Sequence, residues 1–179
     1  MRACTACAEL VAGRSTVVVG EAPAAPRLAL VGEAPGAAED TAGRPFVGKA
    51  GQLLDQLLAE AGVDRATVAV LNTLKCRPPG NRPPKPAELA ACAPFLRAQL
   101  LSLRPLIVVA LGLTAVRWFL GRPVGLAAAR GVVHDVEVGG HRMGVIATYH
   151  PSAAIRFGPA GAPLAALRED LLAAAKAVA

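Results

Sequence analysis

The chain has 179 residues, 54% of them hydrophobic and 18% charged, with a net charge of +6. That length suits one domain, residues 1–179, with a real interior, and the excess of cations favours a polyanionic partner. The strongest apolar run, Pro105 to Leu113, is too short to cross a bilayer, and the N-terminal stretch has no apolar export signal, so we expect a cytoplasmic protein without a membrane partner.

Strands and helices alternate along the chain. Leu28-Ala29-Leu30-Val31 is a continuous apolar run ending in a Gly/Pro turn, as in a strand buried on both faces. Leu53, Leu54, Leu57, Leu58 and Ala61 recur at helical spacing before Gly62. Val68 to Leu71 reads as a second strand ending at Asn72. The segment from Cys76 to Pro86 carries too many prolines for regular structure. A helix follows to about Leu103, interrupted or kinked at Pro94. Leu106 to Leu111 is the third strand, and Thr114 to Leu120 a short helix. Val132–Val138 and His141–Thr148 flank Gly139-Gly140 as a hairpin or a pair of short strands. Leu164, Leu167, Leu171, Leu172, Ala175 and Val178 mark a closing amphipathic helix. Such alternation implies a parallel sheet covered on both faces. Ligands in such folds bind beyond the carboxyl ends of the strands. Glu33, Asn72, Gly112 and His150 all directly follow strands, so chemistry is expected there.

The tetrapeptide Gly-Glu-Ala-Pro occurs twice, at 20–23 and 32–35. No longer period accompanies it, so we take the first copy as a coincidental turn and the second as functional. Four cysteines complete the set of informative residues. Cys4 and Cys7 form a C-x-x-C pair; Cys76 and Cys92 bracket the Pro-rich basic loop. In a reducing compartment they suit a metal better than disulfides. Their spacing leaves zinc and an iron–sulfur cluster both open.

The stretch from Gly32 to Gly51, with Asn72-Thr73-Leu74-Lys75-Cys76-Arg77-Pro78-Pro79 and His150-Pro151-Ser152, closely resembles the family 4 uracil-DNA glycosylases. The resemblance runs from Cys4 to about Arg156. It implies a three-layer α/β/α sandwich around a central, mainly parallel four-stranded sheet. It also implies a structural 4Fe-4S cluster held by Cys4, Cys7, Cys76 and Cys92. The reaction implied is monofunctional hydrolysis of the bond between uracil and deoxyribose in DNA, single- or double-stranded, by a monomer.

Residue by residue, Asn72 would read the Watson–Crick edge of the extruded base, with its amide oxygen on N3–H and its NH2 on O4. Phe46 would stack on the base. His150 would donate to O2 as charge builds there. Ala34 stands where related enzymes place a water-orienting Asp, so Glu33 would either position water and stabilise the sugar cation or shape the turn. The backbone of Ala34 and Pro35 would line the site. Lys75, Arg77, Arg82 and Lys85 would meet phosphates. Ile155 would enter the DNA as an apolar wedge, with Arg156 beside it on phosphate or in the gap.

Two other readings compete. Some relatives capture uracil DNA covalently through a His-containing loop after the second motif, but residues 77–83 here hold no histidine. A zinc-stabilised nucleotide-binding module would use the Gly-rich turn for phosphate, but it lacks both the Walker and the G-x-G-x-x-G patterns.

Overall fold

The computed structural model describes residues 1–179. Its elements are α1 (Ala8–Gly13), β1 (Leu28–Gly32), α2 (Ala37–Ala42), α3 (Lys49–Glu60), β2 (Ala69–Asn72), α4 (Pro86–Leu103), β3 (Ile107–Leu111), α5 (Leu113–Leu120), α6 (Leu126–Ala129), β4 (Val133–Val138), β5 (His141–Thr148), α7 (Pro151–Phe157) and α8 (Ala162–Val178). The sheet has five strands in the order β2-β1-β3-β5-β4, one more than the four expected. The additional strand is β4, which pairs antiparallel with β5 through the Gly139-Gly140 turn. Both glycines have positive φ, which a two-residue hairpin turn of this kind requires. The other four strands are mutually parallel.

The period of two along each buried strand splits the interior into two layers. On one face Ala29, Val31, Ala69, Leu71, Val108 and Ala110 meet Leu96 and Leu100 of α4 and Val116 and Phe119 of α5. On the other, Leu28, Leu30, Val70 and Val109 meet Leu54, Leu57 and Leu58 of α3 and Leu167 and Leu171 of α8. The result is an α/β/α sandwich. No helix is long and apolar enough to cross a membrane.

Two local expectations need correcting. Helix α4 runs unbroken through Pro94. An internal proline costs about 3 kcal/mol; burial of Cys92, Leu96 and Leu100 on one side of the helix offsets that. The first Gly-Glu-Ala-Pro copy is also more than a turn. Glu21 exchanges both backbone hydrogen bonds with Val70, at 3.0 and 2.7 Å, and so covers the outer edge of β2.

Candidate active site

Strand β1 lies between β2 and β3, so the chain leaves the sheet in diverging directions at its carboxyl edge. A cleft of about 370 Å³ opens there. Its walls include Glu33, Asn72, Gly112 and His150, the four strand-end residues picked out in the sequence, together with Phe46. The sheet therefore brings together residues that are far apart in the chain.

Asn72 ends β2 in register with Gly32, the last residue of β1. It is 3% exposed, and its Oδ1 is buried without a hydrogen-bond partner. A buried unpaired acceptor costs about 1–3 kcal/mol, so its retention points to a ligand donor. Gly32 is what permits this arrangement. A Cβ there would lie 2.5 Å from Asn72 Oδ1 and 2.6 Å from Phe46 Cζ.

Phe46 is buried in a loop between α2 and α3, with a left-handed backbone (φ 52°) that non-glycine residues rarely adopt. Such strain persists only where the surroundings over-determine it. Arg65 supplies one restraint, donating to the carbonyls of Pro45 (2.8 Å) and Phe46 (3.3 Å). Arg65 is steadied in turn by Asp55 and Glu21. Gly51 supplies another, since a Cβ there would fall 1.8 Å from the Phe46 carbonyl oxygen. Glu39 ties the end of the loop to the start of α2: Oε1 accepts from the N–H groups of Val47 (2.9 Å) and Gly48 (2.8 Å), and Oε2 from that of Gly36, just before α2 (3.1 Å). It lines the cleft but acts through the loop.

The His150 ring sits 5.6 Å from the Phe46 ring, tilted by 31°. His150 caps α7, and its Nδ1 accepts from the backbone N–H of Ser152 at 3.2 Å. Because that donor is obligate, the proton of a neutral ring belongs on Nε2. Burial pushes the imidazole down to about 4, against an upward pull from Glu39. His150 is thus a neutral donor at physiological pH.

Glu33 is held by its main chain: its carbonyl accepts from Thr73 Oγ1 (2.6 Å) and Leu74 N (2.9 Å). The side chain does not shape the turn. Thr114 Oγ1 donates to Glu33 Oε2, leaving Oε1 for water or substrate. Ala34 and Pro35 line the same wall.

The basic residues divide. Lys75 is buried, 1% exposed, with Nζ donating to the Asn72 carbonyl at 2.7 Å. Burial pushes its amine down to about 8, with Cys92 pulling the other way. It supports β2 from inside and does not reach phosphates, because its neighbours Leu74 and Cys76 carry it into the interior. Arg82 grips Glu88 through both nitrogens and also reaches Glu9, while Lys85 pairs with Glu9. Arg82 still lines the cleft. Arg77 donates to Asn81 Oδ1 at 2.7 Å. Ile155 does not pack inward; it is 45% exposed on α7, next to exposed Arg156.

The cysteines are free, with Cys76 and Cys92 buried among Leu10, Val17 and Leu74. Cys7 is raised by burial and then by Glu88, Cys76 and Cys4; Cys92 is raised to about 11 by burial, with Cys76 and Cys7 adding to it. The thiols therefore share one field. Two N–H donors point at sulfur: Arg14 Nη1 to Cys76 Sγ at 2.9 Å, and Lys75 N to Cys92 Sγ at 3.3 Å. No three His, Cys, Asp or Glu side chains converge tightly enough to hold a single ion.

Sequence reasoning missed Glu21, Arg65 and Thr114. Glu21 lies in the tetrapeptide copy taken for a coincidental turn, Arg65 and Thr114 stand in no motif, and each acts on a residue distant in the chain.

This cleft, with its orphaned amide oxygen at the carboxyl edge of a doubly covered sheet, belongs to a known class. A family model described as the uracil DNA glycosylase superfamily matches residues 19–172. A type-4 uracil-DNA glycosylase of Thermotoga maritima is 48% identical over 157 residues, covering 87% of this chain and 80% of that protein. Type-4 enzymes of Pyrobaculum aerophilum and Saccharolobus solfataricus are 42% and 38% identical, covering 80% and 87% of this chain and 75% and 74% of theirs. The chain belongs to the uracil DNA glycosylase superfamily, within its type-4 group.

Proposed function

We infer that the chain is a monofunctional uracil-DNA glycosylase, acting as one domain over residues 1–179. It takes uracil out of DNA, hydrolyses the N-glycosidic bond and leaves an abasic site. The carrying observation is the buried, unpartnered Oδ1 of Asn72 beside the rings of Phe46 and His150.

Uracil N3–H donates to that oxygen, and the Asn72 amide donates to O4. Cytosine presents an acceptor at N3, which leaves the orphan unpaired and sets acceptor against acceptor. A site built around such a hydrogen bond rejects analogues that lack it strongly. Phe46 covers one face of the base, a contact worth about 1–3 kcal/mol. As the bond to C1′ breaks, the electron pair stays on uracil, and His150 Nε2–H stabilises the growing charge at O2. Glu33 orients the water that attacks C1′ and takes its proton as the new bond forms.

The four thiols suit a multi-iron cluster: they cluster with N–H donors aimed at sulfur, a known tuning contact for such centres. Cys4, Cys7, Cys76 and Cys92 would hold a 4Fe-4S cluster. Bound, it would supply a structural cross-link between the N-terminal arm, the 76–92 loop and α4. It would thereby fix the loop whose residues Pro78, Asn81 and Arg82 form one wall of the cleft. Arg77 and Arg156 meet phosphates, Arg82 and Lys85 act first on Glu88 and Glu9, and Ile155 enters the DNA. The enzyme works as a monomer.

Labelled single- and double-stranded oligonucleotides with one deoxyuridine test this. Incubation followed by alkali should cut at that position, and thymine or cytosine there should leave the strand whole. Uracil strands that stay intact at high enzyme concentration would overturn the assignment.

A further inference from the structure

The edge strand β4 lies away from the cleft, yet the chain entering it reaches the turn that carries His150. Val133 of β4 pairs with Ile146 of β5. Carrying that antiparallel register three residues further sets Arg130 opposite Tyr149, the residue before His150. The side chains agree. The Arg130 guanidinium carbon lies 5.5 Å from the Tyr149 ring centroid, within cation–π range.

Arg130 is itself anchored. Its Nε donates to Asp170 Oδ2 at 2.7 Å, and its Nη2 donates to Asp170 Oδ1 and to the Ala166 carbonyl, each at 3.2 Å. Asp170 is buried in α8. Two parallel bonds to one carboxylate fix the plane of the guanidinium. Arg130 also closes α6, whose Ala129 carbonyl accepts from His134 Nε2 at 2.8 Å. Tyr149 is thereby tied to α8. Two other restraints hold the same turn: the Gly112 N–H donates to the Thr148 carbonyl at 2.9 Å, and the Ala153 N–H to the His150 carbonyl at 2.8 Å.

We propose that Arg130, locked by Asp170, is a positioning residue that holds the Tyr149-His150 turn and so aims His150 Nε2–H at the departing base. The role rests on the DNA-glycosylase reading. Arg130 and Asp170 form no part of the cleft wall. The charged groups on that wall are Glu33, Glu39 and Arg82. Burial and then Glu39 govern the His150 imidazole, and neither member of the pair pulls on it. Loosening the pair therefore reaches the ring as a change of place and hydration.

The test reads uracil release at saturating DNA and, without DNA, the imidazole nitrogens by NMR. The chain has three histidines, so His150 can be followed beside His134 and His141. Arg130→Lys keeps the ion pair and loses the double bond to Asp170. Arg130→Met combined with Asp170→Leu removes both charges, so no buried carboxylate is left unpaired. Each should lower the release rate at saturation by about 10- to 100-fold, the effect of a misplacement near 1 Å. KM should stay within about threefold, because His150 meets charge that grows only in the transition state. In both proteins the His150 ring should titrate at higher pH than in the original, as water reaches it. Arg168→Met breaks the exposed pair between α8 and Glu60 and should change neither reading. Undiminished release by either folded variant would overturn the proposal. So would a lost rate with the His150 titration unmoved, or an equal loss in Arg168→Met. Failure of the unaltered protein to release uracil would count against the glycosylase reading alone, because the NMR titration needs no substrate.

Discussion

Replacing Gly32 by alanine probes the heart of the cleft with a single methyl group. The added carbon would sit 2.5 Å from Asn72 Oδ1 and 2.6 Å from Phe46 Cζ. Ordinary separation is about 3.5 Å or more, so each group must retreat by roughly 1 Å. Asn72 is 3% and Phe46 5% exposed. Both are packed from behind, and the open direction is the cleft itself. A misplacement of about 1 Å can cost on the order of 100-fold in rate. With the amide and the stack both displaced, kcat/KM should fall by roughly 100- to 10,000-fold, or about 3–5.5 kcal/mol of transition-state stabilisation. Backbone strain adds nothing, since Gly32 is not among the positive-φ glycines. The melting temperature should therefore move by only a few degrees. Single-turnover release of uracil from a labelled strand, read beside thermal melting by circular dichroism, measures both. A folded Gly32→Ala protein with kcat/KM within threefold of the original would refute the placement of the base against Asn72 and Phe46.

The remaining predictions concern the supports of the cleft. Because burial lowers the folded pKa of His150 to about 4, from an ordinary value near 6.5, the unfolded chain binds the extra proton first. Its stability contribution is complete above about pH 6.5 and is lost as pH falls toward 4. The activity profile should likewise show no inflection near 6.5, and finding one there would mean a solvated imidazole. Glu39→Gln can satisfy Val47 and Gly48 but turns an NH2 toward the Gly36 N–H; titration with uracil strands should show a raised KM, with a loss of about 1–3 kcal/mol. Cys92→Ser should abolish the iron and sulfide content of the purified protein. It should also lower the melting temperature by about 6–12 °C, from a cross-link worth roughly 3 kcal/mol. Zinc in the original protein, with no iron, would contradict the cluster assignment.

Much of the fold was legible because buried parallel strands leave continuous apolar runs, and the strand ends could be read directly from them. Glu33, Asn72, Gly112 and His150 were found in this way, and all four meet at the cleft. What stayed hidden are contacts that leave no local pattern. Glu39 sits in the first turn of α2 with no pattern to mark it, yet its carboxylate holds two N–H groups of the Phe46 loop and that of Gly36 before the helix. Glu21 resembled a turn, yet it edges β2 and steadies Arg65. Lys75 resembled a phosphate ligand because charge alone does not report burial. The number of strands went astray for another reason: the residues marked Val132–Val138 as a strand, but the count of four followed from the resemblance, which left out this antiparallel edge strand, β4. Pro94 misled because intrinsic propensity was weighed without the packing that overrides it.

One acceptor, Asn72 Oδ1, lies unpaired in the interior, where a proton-bearing ring nitrogen would meet it. Paired oligonucleotides, one with deoxyuridine and one with its N3-methyl derivative, isolate that contact, since the methyl group removes the N3 donor. Uracil should be released rapidly and the methylated base not detectably. Comparable release of both would show that the base is held by other means.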